Sequence, residues 1–109
     1  MKNIIIKNNY LPVIEMNTFF KKLNGLMWKK KAINKCYLFY KTNGIHTFFM
    51  FQKIDLILAD KTFKVLNVYS SLPPWRIVLP KKNVYYSIEV PLGISSLINV
   101  GEVLTFKEN

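Results

Sequence analysis

His46, the single histidine of the chain, and Asp55, nine residues later, are the two side chains best suited by type to do chemistry. An imidazole titrates near physiological pH, and a carboxylate beside it can orient it as a general base. Both fall in the stretch Gly44 to Asp60, which also carries many of the strongest strand-forming residues. Asp55 stands between Ile54 and Leu56-Ile57-Leu58. It must therefore face solvent on a strand or be buried with partners, because an unpaired buried charge is very costly. Backbone amides, His46, Lys53 and Arg76 are its expected partners. The structural reading is a buried aspartate that caps a turn and fixes strand register; the chemical reading places it with His46 in one recess.

A hydrolase built on this pair also needs a nucleophile. Thr47, Cys36 and the serines are the candidates, and no Gly-x-Ser-x-Gly elbow occurs. Cys36 opens the apolar run Cys36-Tyr37-Leu38-Phe39-Tyr40, where a thiol is expected to be an unactivated core group. One histidine, one cysteine and dispersed acids provide no metal-ligand spacing, and the four glycines are too far apart for a phosphate-cradling loop. No metal or cofactor is expected.

The elements that must hold these residues are mostly short strands. Asn3 to Lys7 contains three consecutive isoleucines, and Asn8-Asn9 reads as a turn. Pro12 makes Leu11 to Met16 at best an edge strand. Phe19, Phe20, Leu23, Leu26 and Met27 follow the Asn17-Thr18 cap at helical spacing, so a short amphipathic helix is predicted there. Lys29-Lys30-Lys31 is the densest positive cluster, either an anion site or a solvated loop. Cys36 to Tyr40 is predicted to be a central strand, and Asn43-Gly44 a turn. Ile45 to Phe51, Ile54 to Ala59, Phe63 to Tyr69 and Val84 to Val90 are further strands, with a turn at Asp60 to Thr62. Pro73-Pro74 makes Ser70 to Arg76 a loop that presents Trp75 and Arg76, and Ile77 to Leu79 resumes an extended path. Ile94 to Val100 is a short helical turn and Val103 to Phe106 a last strand. The predicted fold is mainly β (α+β), a small barrel-like or two-sheet domain of about seven short strands with one or two short helices, in a single domain over residues 1–109.

Sixteen Lys+Arg against six Asp+Glu give a formal charge of +10. Such a surplus attracts phosphates, acidic proteins or anionic surfaces. Only one of the sixteen is an arginine, Arg76, whereas nucleic-acid readout favours the guanidinium, so scattered solvated lysines are the simpler reading. Tyr85-Tyr86 and Phe48-Phe49 place rings on both faces of their strands, where they fill a core or stack on bases. Half of the residues are apolar, enough to fold a compact core. Lys2 to Tyr10 contains only Ile4-Ile5-Ile6 as an apolar run, shorter than a secretory core of about seven residues, and no run approaches the roughly 18 residues of a membrane span. A soluble, cytoplasmic monomer is the default expectation.

Several segments taken in order resemble the domain of unknown function 192 family, also known as uncharacterised protein family 0127. They are Gly25-Leu26-Met27, Ile45-His46-Thr47-Phe48-Phe49-Met50, Ile54-Asp55, Pro74-Trp75-Arg76, Ile88-Glu89 followed by Gly93, and the late Gly101. Their order and spacing hold over residues 13 to 106. The resemblance implies a compact β-rich fold and no established reaction. It also implies that some relatives are exported, and that those sharing the His46-Thr47-Phe48 form are linked to envelope or pilus processes. The chain departs from the family pattern at Phe51, Gln52 and Lys53, at Phe63 where glycine is common, and at Glu102 where Asp is usual.

Three functions follow as expectations. The first is a small non-enzymatic binding or accessory domain with a shallow site near His46, Thr47, Met50, Asp55, Trp75, Arg76 and Glu89, its partner a protein or a small anionic ligand. The second is a hydrolase using His46 and Asp55. The third is a nucleic-acid or anionic-surface binder driven by charge.

Overall fold

The computed structural model describes residues 2–16, 35–40, 45–46, 53–73, 77–78 and 81–108. Nine strands fall within them: β1 (Lys2–Ile6), β2 (Asn9–Met16), β3 (Cys36–Tyr40), β4 (Ile45–His46), β5 (Ile54–Ala59), β6 (Val65–Leu72), β7 (Ile77–Val78), β8 (Tyr86–Val90) and β9 (Thr105–Glu108). Seven form one sheet in the order β6-β5-β8-β3-β2-β1-β9, and β4 pairs with β7 as a separate two-stranded sheet. Among the described residues the helical element is a single 3-10 turn, Ile94–Leu97. The fold is mainly β. The helix predicted around residues 18–28, the Lys29-Lys30-Lys31 cluster and the Asn43-Gly44 turn lie outside the described residues.

Strands with apolar residues on both faces fall where the sequence places them. All six residues of β5 are buried, so both faces of that strand are covered. β3 is the middle strand of the seven, antiparallel to β8 and parallel to β2. Alternation along the strands separates two apolar layers. Ile4, Ile6, Val13, Cys36, Leu38, Ile57, Ile88 and Val90 share the main core with Val65, Ile98 and Leu104. On the opposite face lie Ile54, Leu56 and Leu58, packed with Tyr37, Tyr69, Leu72 and Val84.

The sheet does not close into a barrel. Among the described residues its two edge strands meet at their starts, beside a bridge between Lys64 and Val103. The Val65 N–H donates to the Glu102 carbonyl at 2.8 Å and the Leu104 N–H to the Phe63 carbonyl at 2.9 Å. A curled sheet with its edges joined by this short link is the barrel-like feature that exists.

Four local readings are corrected. β2 is interior rather than an edge, with β1 on one flank and β3 on the other. Pro12 is tolerated because the ladder to β3 begins one residue later, at Val13 opposite Cys36. The first turn is Lys7-Asn8, both at positive φ (48° and 72°), the conformation a two-residue hairpin requires. β6 begins after Phe63, whose φ of 64° is incompatible with a strand, and it continues through Leu72, so Ser70 to Leu72 are strand rather than loop. The turn at Asp60 is as expected: one carboxylate oxygen accepts from the Thr62 N–H (2.8 Å), the Thr62 hydroxyl (2.7 Å) and the Lys64 N–H (3.1 Å).

Candidate functional site

Asp55 is 1% exposed, and it is held by amides distant in sequence. One oxygen accepts from the Ser71 N–H at 2.8 Å, the other from the Gly93 N–H at 2.9 Å and the Ser95 N–H at 3.0 Å. The Ser95 hydroxyl acts on the same carboxylate and lies 2.6 Å from the Ser70 hydroxyl. Burial is the strongest single influence and raises the carboxyl's pKa; the donors from Ser71, Ser95 and Gly93 together outweigh it and hold the group below its ordinary range. A carboxylate offers about four acceptor positions, and three amides with one hydroxyl match that number. Asp55 therefore joins β5 to the end of β6 and to the 3-10 turn. Ser71 at φ 53° and Gly93 at φ 95° turn their N–H groups inward in left-handed backbone conformations, which glycine adopts easily and serine does at a cost.

Glu89 stands one register step from Asp55 and points the other way. β8 lies between β3 and β5, with Glu89 opposite Tyr37 on one side and opposite Leu56 on the other. Residues directly opposite in a ladder share a face, so Tyr37, Glu89 and Leu56 form a row on the second apolar face, which Tyr69 extends from β6. Glu89 is 3% exposed, and its Oε2 has no hydrogen-bond partner among the described residues. Burial pushes its carboxyl up to about 8, so at neutral pH it is mostly protonated. Burial, and then the charge of Glu89, raise the half-buried Tyr37 phenol as well.

Of the residues expected to form a site, Asp55 and Glu89 are thus on opposite faces. The backbone of His46 pairs with Ile77 in the small sheet, one residue from Arg76 in the chain. Thr47, Met50, Trp75 and Arg76 lie outside the described residues. Cys36 is fully buried in the main core, its thiol pushed up to about 12 by burial, as a core cysteine should be. Tyr86 stacks on Phe63 at 4.0 Å and meets Tyr85 edge-on at 4.7 Å, while the Lys61 ammonium lies 5.6 Å from the Tyr85 ring. Among the described residues no group of three His, Cys, Asp or Glu could hold a metal ion, and no helix is long and apolar enough to cross a membrane.

Tyr37 was not anticipated as a neighbour of Glu89, because only the β3–β8 register brings them together. The amides of Ser71, Gly93 and Ser95 were anticipated as a class but not by position. Gly93 carried a usable signal, since a glycine after Pro91 suits an inward-turned amide.

The chain is similar to known proteins along most of its length. The family model DUF192, described as Uncharacterized ACR, matches residues 5–106. A UPF0127 protein of Pyrococcus horikoshii is 38% identical over 86 residues, covering 75% of this chain and 74% of that protein. A UPF0127 protein of Thermococcus sibiricus is 35% identical over 89 residues, covering 76% of this chain but only 56% of that protein. Among solved structures, a protein of unknown function from Novosphingobium aromaticivorans superposes with a TM-score of 0.77 at 10% identity, covering 98% of this chain and 83% of that one. One from Sinorhizobium meliloti, provisionally described as a transcription regulator, has a TM-score of 0.77 at 14% identity and covers 97% and 90%. At such identities these two likenesses speak to the fold alone. The match over residues 5–106 and the identity to the archaeal proteins establish that this chain belongs to the DUF192 (UPF0127) family.

Proposed function

We propose that this chain is a small non-enzymatic binding domain whose recognition site includes the second face of the sheet, around Glu89 and Tyr37. The observation that carries this reading is the buried Glu89 carboxyl with an oxygen that no described donor satisfies. A buried acid without a partner costs the fold stability and returns no cross-link to it, unlike Asp55. Such a group is explained if a ligand completes its hydrogen bonding. His46, Thr47, Met50, Trp75 and Arg76 are proposed as the rest of the site.

The hydrolase reading has less support, since the acceptor capacity of Asp55 is used by Ser71, Gly93 and Ser95. Charge-driven binding draws on lysines that are exposed and spread over the surface, among them Lys7, Lys53, Lys61, Lys81 and Lys107.

The test is a ligand screen of the folded protein by amide chemical shifts, with cationic, neutral and anionic small molecules. Shifts clustered at Tyr37, Leu56 and Glu89 are expected. A screen in which no compound of any class moves these amides would overturn the reading, and so would turnover of an ester or phosphoester lost in His46→Ala.

A further inference from the structure

Two turns stand side by side where β5 ends at Ala59, opposite Val65 of β6 and Tyr86 of β8. Asp60 to Lys64 carries the chain from β5 into β6. Lys81 to Val84 carries it toward β8, and the Tyr85 N–H donates to the Ala59 carbonyl at 2.9 Å. Between the two turns lies a cavity of about 430 Å³, a volume within the range of small-molecule sites. Its lining is Asp60, Lys61, Thr62, Asn83, Val84 and Tyr85, all of them described residues. The frame is held on both sides: Asp60 Oδ1 accepts from the Thr62 N–H, the Thr62 hydroxyl and the Lys64 N–H, while Val84 packs on Leu56 and Leu58.

We propose that this cavity binds a neutral sugar, a pyranose unit whose hydroxyls meet Asp60, Asn83 and Lys61 and whose C–H face lies against the Tyr85 ring. The site is separate from the Glu89 face and independent of the reading given above. Its lining carries one carboxylate, one ammonium, one carboxamide and the Thr62 hydroxyl, so the fixed charges sum to zero and acceptors stand beside donors. A carboxylate offers about four acceptor positions, and the turn uses Oδ1 of Asp60 for all three of its donors, which leaves the capacity of Oδ2 to a ligand. The Thr62 hydroxyl has the largest effect on that carboxyl; with the amides of Thr62 and Lys64 it holds the group below its ordinary range, ionised at neutral pH. The Lys61 ammonium lies 5.6 Å from the centre of the Tyr85 ring, a donor set beside an aromatic wall. A sugar hydroxyl donates once and accepts twice. Neighbouring hydroxyls of one ring can therefore donate to Asp60 while accepting from Asn83 or Lys61, and the apolar C–H face of the same ring packs on the tyrosine.

Other ligand classes match less of this lining. An anion is drawn to Lys61 but meets the ionised Asp60, and a cation has the converse difficulty. A zwitterion satisfies both charges, but exposed ion pairs contribute little and use neither Asn83 nor the ring. Lys64, Lys81 and Lys82 are exposed and stand outside the lining, where water and salt weaken their pull on anions.

The experiment follows the backbone amide shifts of the whole chain, at concentrations well beyond a millimolar Kd. The probes are the methyl glycosides of glucose, galactose and mannose and the matching disaccharides maltose, galactobiose and mannobiose, against inorganic phosphate, n-butylammonium and glycine as anion, cation and zwitterion. Expected are saturable shifts at Lys61, Thr62, Asn83 and Tyr85 with at least one sugar, its affinity the same at about 50 and about 500 mM salt because the ligand carries no charge. Asp60→Asn, which keeps the Oδ1 acceptor of the turn and replaces Oδ2 by a donor, should weaken binding about tenfold or more. Asn83→Gly removes the carboxamide at a residue whose φ of 69° suits glycine, so it should weaken binding several-fold with the fold intact. Tyr85→Phe should retain binding and Tyr85→Leu should weaken it. A disaccharide bound more tightly than its methyl glycoside assigns the site to the end of a glycan and equal affinity to a single sugar; both outcomes support the inference. Sugar binding equal in the wild type, Asp60→Asn and Asn83→Gly would overturn it, and so would phosphate, butylammonium or glycine moving these amides in place of the sugars, or no compound moving them. Sugar shifts confined to Tyr37, Leu56 and Glu89 would overturn this site and support the Glu89 reading instead.

Discussion

Asp55 and Glu89 occupy neighbouring strands one register step apart and project from opposite faces of the sheet: Asp55 stands opposite Val90, and Leu56 opposite Glu89. Both carboxyls are buried, yet burial has opposite outcomes. Asp55 receives N–H donors from three residues and is held ionised; Glu89 has an oxygen with no described donor and is pushed toward neutrality. The difference in donors, not in depth, separates a structural acid from a candidate binding acid.

Removing Asp55 should damage the fold. Asp55→Ala leaves the Ser71, Gly93 and Ser95 amides without their acceptor and is expected to cost roughly 2–4 kcal/mol. Because the native carboxyl is held below its unfolded value, its contribution is fully present above about pH 4 and is lost as pH falls through the native pKa. Urea denaturation of the wild type and Asp55→Ala at pH 6 and pH 3 measures this. The gap should narrow at pH 3; a variant as stable as the wild type at pH 6 would contradict the clamp.

The sign reverses for Glu89. With its native carboxyl raised to about 8, burial of the neutral form is free of penalty below the unfolded value near pH 4.3. Stability then falls as pH rises from there to about 8, with a slope approaching about 1.4 kcal/mol per pH unit. Glu89→Gln should therefore melt at a higher temperature than the wild type at pH 8 and at nearly the same temperature at pH 4. A variant destabilised equally at both values would show that Glu89 is an ordinary structural group.

At Phe63 two effects oppose. Its φ of 64° strains a non-glycine residue by about 1–2 kcal/mol. Its ring stacks on Tyr86 and tilts against Phe106 at centroid distances of 4.0 and 4.6 Å. A fully buried phenylalanine is worth roughly 3–5 kcal/mol and the half-buried Phe63 about half of that, still at or above the strain, so the ring wins. Thermal melts should rank the wild type above Phe63→Gly, which relieves strain, and Phe63→Gly above Phe63→Ala, which does not.

Cys36 should be inert in the native state, since its thiol is buried and pushed up to about 12. A thiol reagent such as dithionitrobenzoate should label it only on unfolding in denaturant, and rapid labelling of folded protein at pH 8 would place the thiol outside the core.

Where apolar residues cover both faces, the structure was readable in advance. Cys36–Tyr40 and Ile54–Ala59 were bounded correctly because each run is apolar or aromatic up to the point where the chain turns, with Asp55 the single polar residue inside them. The need for amide donors at Asp55 was legible for the same reason, as an acid inside an aliphatic run has few other solutions. Which amides was not legible: they come from 16, 38 and 40 residues away, and an irregularity between Ile54 and Leu56 shifts the register that delivers Ser71. Pro12 misled because it forbids a donor on one flank at one residue, while β2 gains its second neighbour only from Val13 onward. The family resemblance pointed to Glu89, but its side of the sheet and its neighbour Tyr37 depend on pairings between distant strands that no local pattern encodes.

The most direct measurement is the titration of the Glu89 side-chain carboxyl by carbon-13 NMR in the unliganded chain. A midpoint near 8 is expected. A midpoint near 4.3, the value of an exposed glutamate, would contradict a buried, unsatisfied acid as the centre of recognition.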